Sequence, residues 1–227
     1  MSKTEIEPIA YIRTDFKEKF GIPRQSGLAP SVEGRVIFEP EYRCQDALRG
    51  LDGFSHIWLI WGFSANIRQG WQPVVRPPRL GGNMHMGVFA TRSPFRPNGL
   101  GLSCVELAGI DRDCSDGPVI IVRGADLMDM TPIYDIKPYI RYADSRPDSS
   151  CGYVEPLQEK RLEVVIDDDE ISRIGCSEVV EQLKEMLSLD PRPSYHDDPQ
   201  REYGLSYAGY NVRFKVDGDS VFVTSID

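Results

Sequence analysis

Between Glu7 and Tyr139 the chain breaks repeatedly into short extended runs bounded by glycine and proline, with almost no helical periodicity. The runs are Glu7–Arg13 (EPIAYIR), Gly34–Glu39 (GRVIFE), Phe54–Phe63 (FSHIWLIWGF), Met86–Ala90, Gly101–Ile110, Pro118–Gly124 (PVIIVRG) and Ile133–Tyr139 (IYDIKPY). β-Branched and aromatic residues fill them, which suits a pleated, half-buried surface. Only Glu41–Leu48 reads as a short helix, stopped by Gly50. Six or seven such strands with turn signals between them predict a closed or strongly curled antiparallel sheet.

The texture changes after a polar, linker-like stretch from Arg141 to Tyr153. Arg161–Ile166 reads as a strand, and Asp167–Glu170 as an acidic helix start of the kind that the helix dipole favours. Ser177–Leu187 places apolar residues at 179, 180, 183, 186 and 187 on one helical face, with Ser177 as a candidate cap. Leu189–Gly204 is rich in turns, and Asn211–Ile226 is a hairpin about a DGD turn. The expected fold is mainly β: an antiparallel β-barrel over residues 1–145, then a small α+β domain over residues 160–227. The second piece is too small for a large core of its own and is expected to pack on the first.

Charge is distributed unevenly. No Asp or Glu occurs from Gly53 to Val105, a window that holds Arg68, Arg76, Arg79, Arg92 and Arg96. The window is therefore +5 in a chain of net −9, leaving −14 elsewhere. Such a segment suits an anionic partner, whereas the bulk charge argues against non-specific nucleic-acid binding. A local patch still permits RNA when base contacts supply selectivity.

No apolar run approaches the roughly 20 residues that span a bilayer, and the polar, charged N-terminus is not a signal peptide. Five scattered cysteines without a CxxC point to reduced thiols in a cytoplasm. The three histidines form no HxxxH pair, so no metal is expected. His56, inside the most apolar run, reads as a core histidine. No nucleophile, P-loop or dinucleotide motif is present, so catalysis is expected to rest on positioning and electrostatics.

Three groups of residues could carry chemistry. In the loop after the first strand, Pro23 fixes a turn presenting the fork donor of Arg24 and the amide of Gln25. Arg92 and Arg96 flank a stretch stiffened by Pro94 and Pro97, and Asn98-Gly99 with Gly101 permits close backbone approach. A carboxylate, a phosphate or an adenine edge would each suit this cup. Asp129 and Thr131-Pro132 form a turn, after which Asp135, Lys137 and Tyr139 alternate onto one strand face. That trio could bind a polar substrate and move a proton, or form a solvated ion pair of little consequence.

The segments PRQSGL, LRGLDGFSHIWLIW, RPPRLGG, GVFATRSPFRPN with GLS, and TPIYDIKPY together resemble the TsaA-like family of tRNA methyltransferases, over about residues 5–145. DPRPSYHDDPQREYGLSYAGYNVRFKV is similar to the small C-terminal domain of that family. The resemblance implies a barrel that binds S-adenosylmethionine, a cytoplasmic homodimer, and methyl transfer to N6 of N6-threonylcarbamoyladenosine in the tRNA anticodon loop. By motif, the cofactor would be held by Pro23, Arg24, Gln25, Ser64, Ala65, Arg92, Leu102, Asp129, Met130, Thr131 and Pro132. The resemblance puts Asn98, Asp135, Lys137 and Tyr139 at the reacting centre, and Arg76, Arg79 and Arg96 against the RNA. Where the family commonly reads NPIGLS, DGTP and Phe-His, this chain has Asn98–Ser103 as NGLGLS, Asp129–Pro132 as DMTP, and Phe63-Ser64. Those departures bear on cofactor affinity. A non-catalytic RNA-binding or nucleotide-sensing module, or a methyltransferase for another polar acceptor, are the other readings of this barrel.

Overall fold

The computed structural model describes residues 4–64, 70–77, 84–155, 160–193, 196 and 198–227. Among these, six strands close a barrel: β1 (Ala10–Arg13), β2 (Glu33–Phe38), β3 (His56–Gly62), β6 (Leu100–Asp111), β7 (Val119–Arg123) and β8 (Thr131–Pro138). Their order around the barrel is β1-β2-β7-β6-β3-β8, and every pairing is antiparallel. Alternate residues point inward, so Ala10, Ile12, Val36, Phe38, Ile57, Leu59, Val105, Ile120, Val122 and Ile133 fill the interior. A short ribbon of β4 (Val74–Val75) and β5 (Met86–Gly87) stands beside the barrel.

The second part has its own sheet, β10 (Tyr203–Tyr207), β11 (Tyr210–Asp217), β12 (Ser220–Ile226) and β9 (Glu163–Val165), with β9 parallel to β12. Helices α2 (Asp168–Ile174) and α3 (Ser177–Ser188) accompany it. Val180, Leu183, Met186 and Leu187 of α3 join Tyr207, Val212, Phe214, Val216 and Val221 in a second core. Phe16, Ala29 and Val32, from the loop between β1 and β2, belong to that same core. Polar contacts fasten the loop further. Glu185 accepts the Ser31 N–H at 3.0 Å and its hydroxyl at 2.5 Å, and the Gln182 amide donates to the Ser31 carbonyl at 3.0 Å. Arg161 donates to the Leu28 carbonyl at 2.7 Å.

Several local readings need correction. Glu41–Leu48 is not a helix; 3-10 turns form at Pro40–Tyr42 and Gln45–Leu48. Met86–Ala90 is strand for two residues only and then turns over Val88–Ala90. The start of the linker is ordered as α1 (Arg141–Asp144), pinned because Asp144 accepts the Ile140 N–H at 2.7 Å and the Trp58 indole N–H at 3.2 Å. The residue that caps α3 is Cys176, without a side-chain hydrogen bond, and Ser177 is already helical. β10 starts inside the stretch read as turn-rich, at Tyr203 and Gly204, and continues to Tyr207. His56 is exposed at the mouth of β3, its ring 3.0 Å from the Ser55 hydroxyl, and is no core residue.

Among the described residues no helix is long and apolar enough to cross a membrane, and no group of His, Cys, Asp or Glu gathers as a metal site. All five cysteines are free.

Candidate functional site

The loop after β1, the segment around Arg92 and the end of β7 meet at one end of the barrel. Gly27 and Gly124 make the approach possible. The Gly27 N–H donates to the Gly124 carbonyl at 2.8 Å, and a Cβ on Gly124, which sits at φ +71°, would lie 3.1 Å from the Gly27 backbone. The loop can therefore lie flat on residues 124–126. Pro23 is buried, and the Gln25 side-chain oxygen accepts from the Arg92 guanidinium. Arg24 faces the other way: it donates to the carbonyls of Asp190 and Arg192, past the C-terminus of α3, at 3.0 and 3.1 Å. It ties this loop to the segment beyond α3.

Beneath this contact lies Asp126, a residue the motif reading passes over. It is half-buried, and its carboxylate accepts the Ser103 hydroxyl at 2.6 Å. Ser103 points into the barrel and accepts the Trp61 indole N–H at 3.0 Å. Trp61 can lie across β6 because position 101 is glycine; a Cβ there would stand 2.4 Å from the indole ring. Burial pushes the Asp126 carboxyl up from its ordinary value, against the Ser103 hydroxyl, the Ser26 N–H and the positive charge of Arg92, which all favour the ionised form. A lone aspartate at the end of a strand gives no signal in sequence. Only its position under the loop marks it.

The other expected cofactor residues take varied places. Leu102, next to inward-facing Ser103, points outward and is 53% exposed. Ser64 is exposed just past β3. Ala65 and Arg79 lie outside the described residues. Asp129 is engaged within the fold: it pairs with Arg13 at 3.0 Å and Lys17 at 2.8 Å, and accepts the Thr14 N–H at 3.1 Å. Burial raises its carboxyl, but Lys17, the Thr14 N–H and Arg13 outweigh that and hold it below the usual range. Met130 adopts φ +62°, a left-handed conformation that glycine reaches without strain, and its N–H donates to the Ile12 carbonyl at 2.8 Å. The DMTP turn thus keeps the backbone shape that a glycine would give. Thr131 is buried, its hydroxyl on the Met128 carbonyl at 2.7 Å, and Pro132 is buried opposite Tyr11.

Asp135 and Lys137 form an ion pair of 2.7 Å within β8, both half-exposed on the outer wall. Asp135 is level with Ile60 and, through it, with Leu102; Lys137 is level with Trp58. Tyr139 packs on Trp58 and His56 with ring centroids 5.8 and 6.2 Å away. It lies four residues beyond Asp135, about 13 Å along an extended chain. The trio shares a wall but spans most of its height.

In the acid-free window, Arg96 donates to the carbonyls of Val88 and Thr91 at 3.2 and 2.6 Å and lies 5.8 Å from the Phe89 ring centre. Arg76 donates to the His85 ring at 2.9 Å, and Asn98 is exposed. Phe89 is 73% exposed and Trp71 55%. Arginines and bare aromatic faces on an extended loop can bind an anionic strand and stack its bases.

The family model for the tRNA-methyltransferase O (TrmO) N-terminal domain matches residues 11–145, and that for the TrmO C-terminal domain matches residues 162–227. A relative from Escherichia coli named tRNA (adenine(37)-N6)-methyltransferase is 42% identical over 95% of this chain and 94% of its own. A relative from Pseudomonas aeruginosa, a putative S-adenosylmethionine-dependent methyltransferase, is 39% identical over 88% of this chain and 87% of its own. A crystal structure of TrmO from Pseudomonas aeruginosa superposes with a TM-score of 0.80 at 32% identity, covering all of both chains. From its barrel to its last strand, this chain belongs to the tRNA-methyltransferase O family.

Proposed function

We propose that this chain is an S-adenosylmethionine-dependent tRNA methyltransferase that methylates N6 of N6-threonylcarbamoyladenosine beside the anticodon, acting as a cytoplasmic homodimer. Residues 1–145 serve as the cofactor-binding barrel and residues 160–227 as a smaller accompanying domain. The observation that carries the reading is the match along nearly the whole length to a relative named for adenine-N6 methylation of tRNA.

The cup fits the cofactor's chemistry. Gln25 and Arg92 offer donors for a carboxylate or an adenine edge, and Asp126 offers negative charge toward a cation. Bound S-adenosylmethionine supplies an electrophilic methyl group. Gln25 and Arg92 orient it, and the Asp129–Pro132 turn holds the cup wall. The N6–H of an acylated adenosine is acidified, so its removal needs only a modest base. Asp135, held by Lys137, accepts that proton, and Asn98 orients the acylated side chain. Tyr139, farther along the wall, binds substrate and takes no part in the proton transfer. Arg76, Arg79 and Arg96 meet the RNA backbone, and Phe89 and Trp71 offer faces for its unpaired bases.

The test is methyl transfer from labelled S-adenosylmethionine to two tRNA preparations, one bearing threonylcarbamoyladenosine and one lacking it. Label is expected in the modified tRNA alone. Saturable cofactor binding without label in either tRNA would overturn the enzyme and favour a binding module. Label in the free nucleoside but not in tRNA would point to another acceptor.

A further inference from the structure

Asp126 is a half-buried carboxylate that makes no ion pair among the described residues, in a cup whose proposed ligand is a cation. Its orientation is fixed. Ser103 accepts the Trp61 indole N–H, so the hydroxyl's single proton is directed at Asp126, 2.6 Å away. Arg92, the cation that acts on this carboxylate at longer range, is itself tied to Gln25. The carboxylate thus lies where three of the segments assigned to the cofactor converge: Pro23–Gln25, Arg92, and Leu102 beside Ser103.

We propose that Asp126 is a specificity-determining residue of the cofactor site, favouring the sulfonium of S-adenosylmethionine over the neutral thioether of S-adenosylhomocysteine. The inference rests on the cofactor reading above. In the transfer, the S–CH3 bond breaks and its electron pair stays on sulfur; the N6–CH3 bond forms and the N6 proton leaves. Sulfur passes from +1 to neutral while every other charge on the cofactor is unchanged. A fixed anion in a partly dry cup acts on that difference, since Coulomb interactions strengthen as the local dielectric falls. It holds the reactant and relaxes its hold on the product. Hydrogen bonds from the neutral Gln25 amide do not distinguish the two molecules.

Calorimetric titration of both ligands into wild type, Asp126→Asn and Ser103→Ala tests this. Asparagine keeps an oxygen acceptor for Ser103 but removes the charge. In Asp126→Asn, Kd for S-adenosylmethionine is expected to rise about tenfold while that for S-adenosylhomocysteine changes less than about twofold. Ser103→Ala, which frees the carboxylate to turn, shifts the ratio the same way by a smaller factor. An equal rise for both ligands would make Asp126 a brace only and overturn the proposal, as would no change in either. Wild type that binds neither ligand would sink the cofactor reading itself, a distinct result.

Discussion

Two aspartates three positions apart, Asp126 and Asp129, are shifted in opposite directions by the fold. Asp129 gains Lys17, Arg13 and the Thr14 N–H on folding, so its carboxyl is held below its unfolded value. A depressed carboxylate contributes stability above its unfolded pKa, and that contribution is lost as pH falls through the folded pKa. Asp129→Asn is expected to cost about 2 kcal/mol at neutral pH, with the deficit against wild type shrinking below about pH 4. Urea unfolding at pH 7 and pH 3 measures both. Asp126 runs the opposite way, its carboxyl raised by burial, so its charge costs stability at neutral pH. Arg96 is a third case. Its guanidinium holds the turn under Phe89, and Arg96→Ala is expected to lower kcat/KM for tRNA at least about tenfold with cofactor Kd unchanged. A fall in cofactor affinity of the same size would reassign it to the cup.

At the level of elements, the barrel was legible because its strands are short runs of β-branched and aromatic residues bounded by turn signals, as in the Val119–Arg123 segment. The expected strands β1, β2, β3, β6, β7 and β8 stand where the runs place them, to within a few residues. Tertiary forces decided the rest. Val88–Ala90 turns because Arg96 collects the carbonyls of Val88 and Thr91, a contact no local pattern announces. β10 forms because Tyr203, Leu205 and Tyr207 meet the second core. The pairing of Arg24 with carbonyls beyond α3 is equally silent in sequence, since carbonyls carry no side-chain signature. Its consequence is testable: Arg24→Ala releases the Pro23–Gln25 turn from α3 and is expected to weaken cofactor binding by about tenfold, or 1.4 kcal/mol. Titration calorimetry together with a melting curve decides it, because a matching loss of stability would show a fold defect instead.

For the whole molecule, net positive charge is concentrated in one segment of the chain. Arg76, Arg92 and Arg96 sit in the acid-free window, while the remainder of the chain carries −14. Affinity for tRNA should therefore depend on salt through a small number of phosphates, with a slope of about −2 to −4 in log Kobs against log salt. Fluorescence anisotropy across a salt series reads it, and a slope steeper than about −6 would demand a second basic surface.

The double membership of the loop between β1 and β2 also dictates an order of assembly. Phe16, Ala29 and Val32 leave the ribosome early, yet the side chains that cover them belong to α3 and the last strands. At about 5–20 residues per second, synthesis from residue 145 to residue 226 leaves that apolar face open for several seconds after the barrel strands are complete. The nascent barrel is sticky for that interval, and the loop between β1 and β2 takes its final shape only when α3 and β12 arrive.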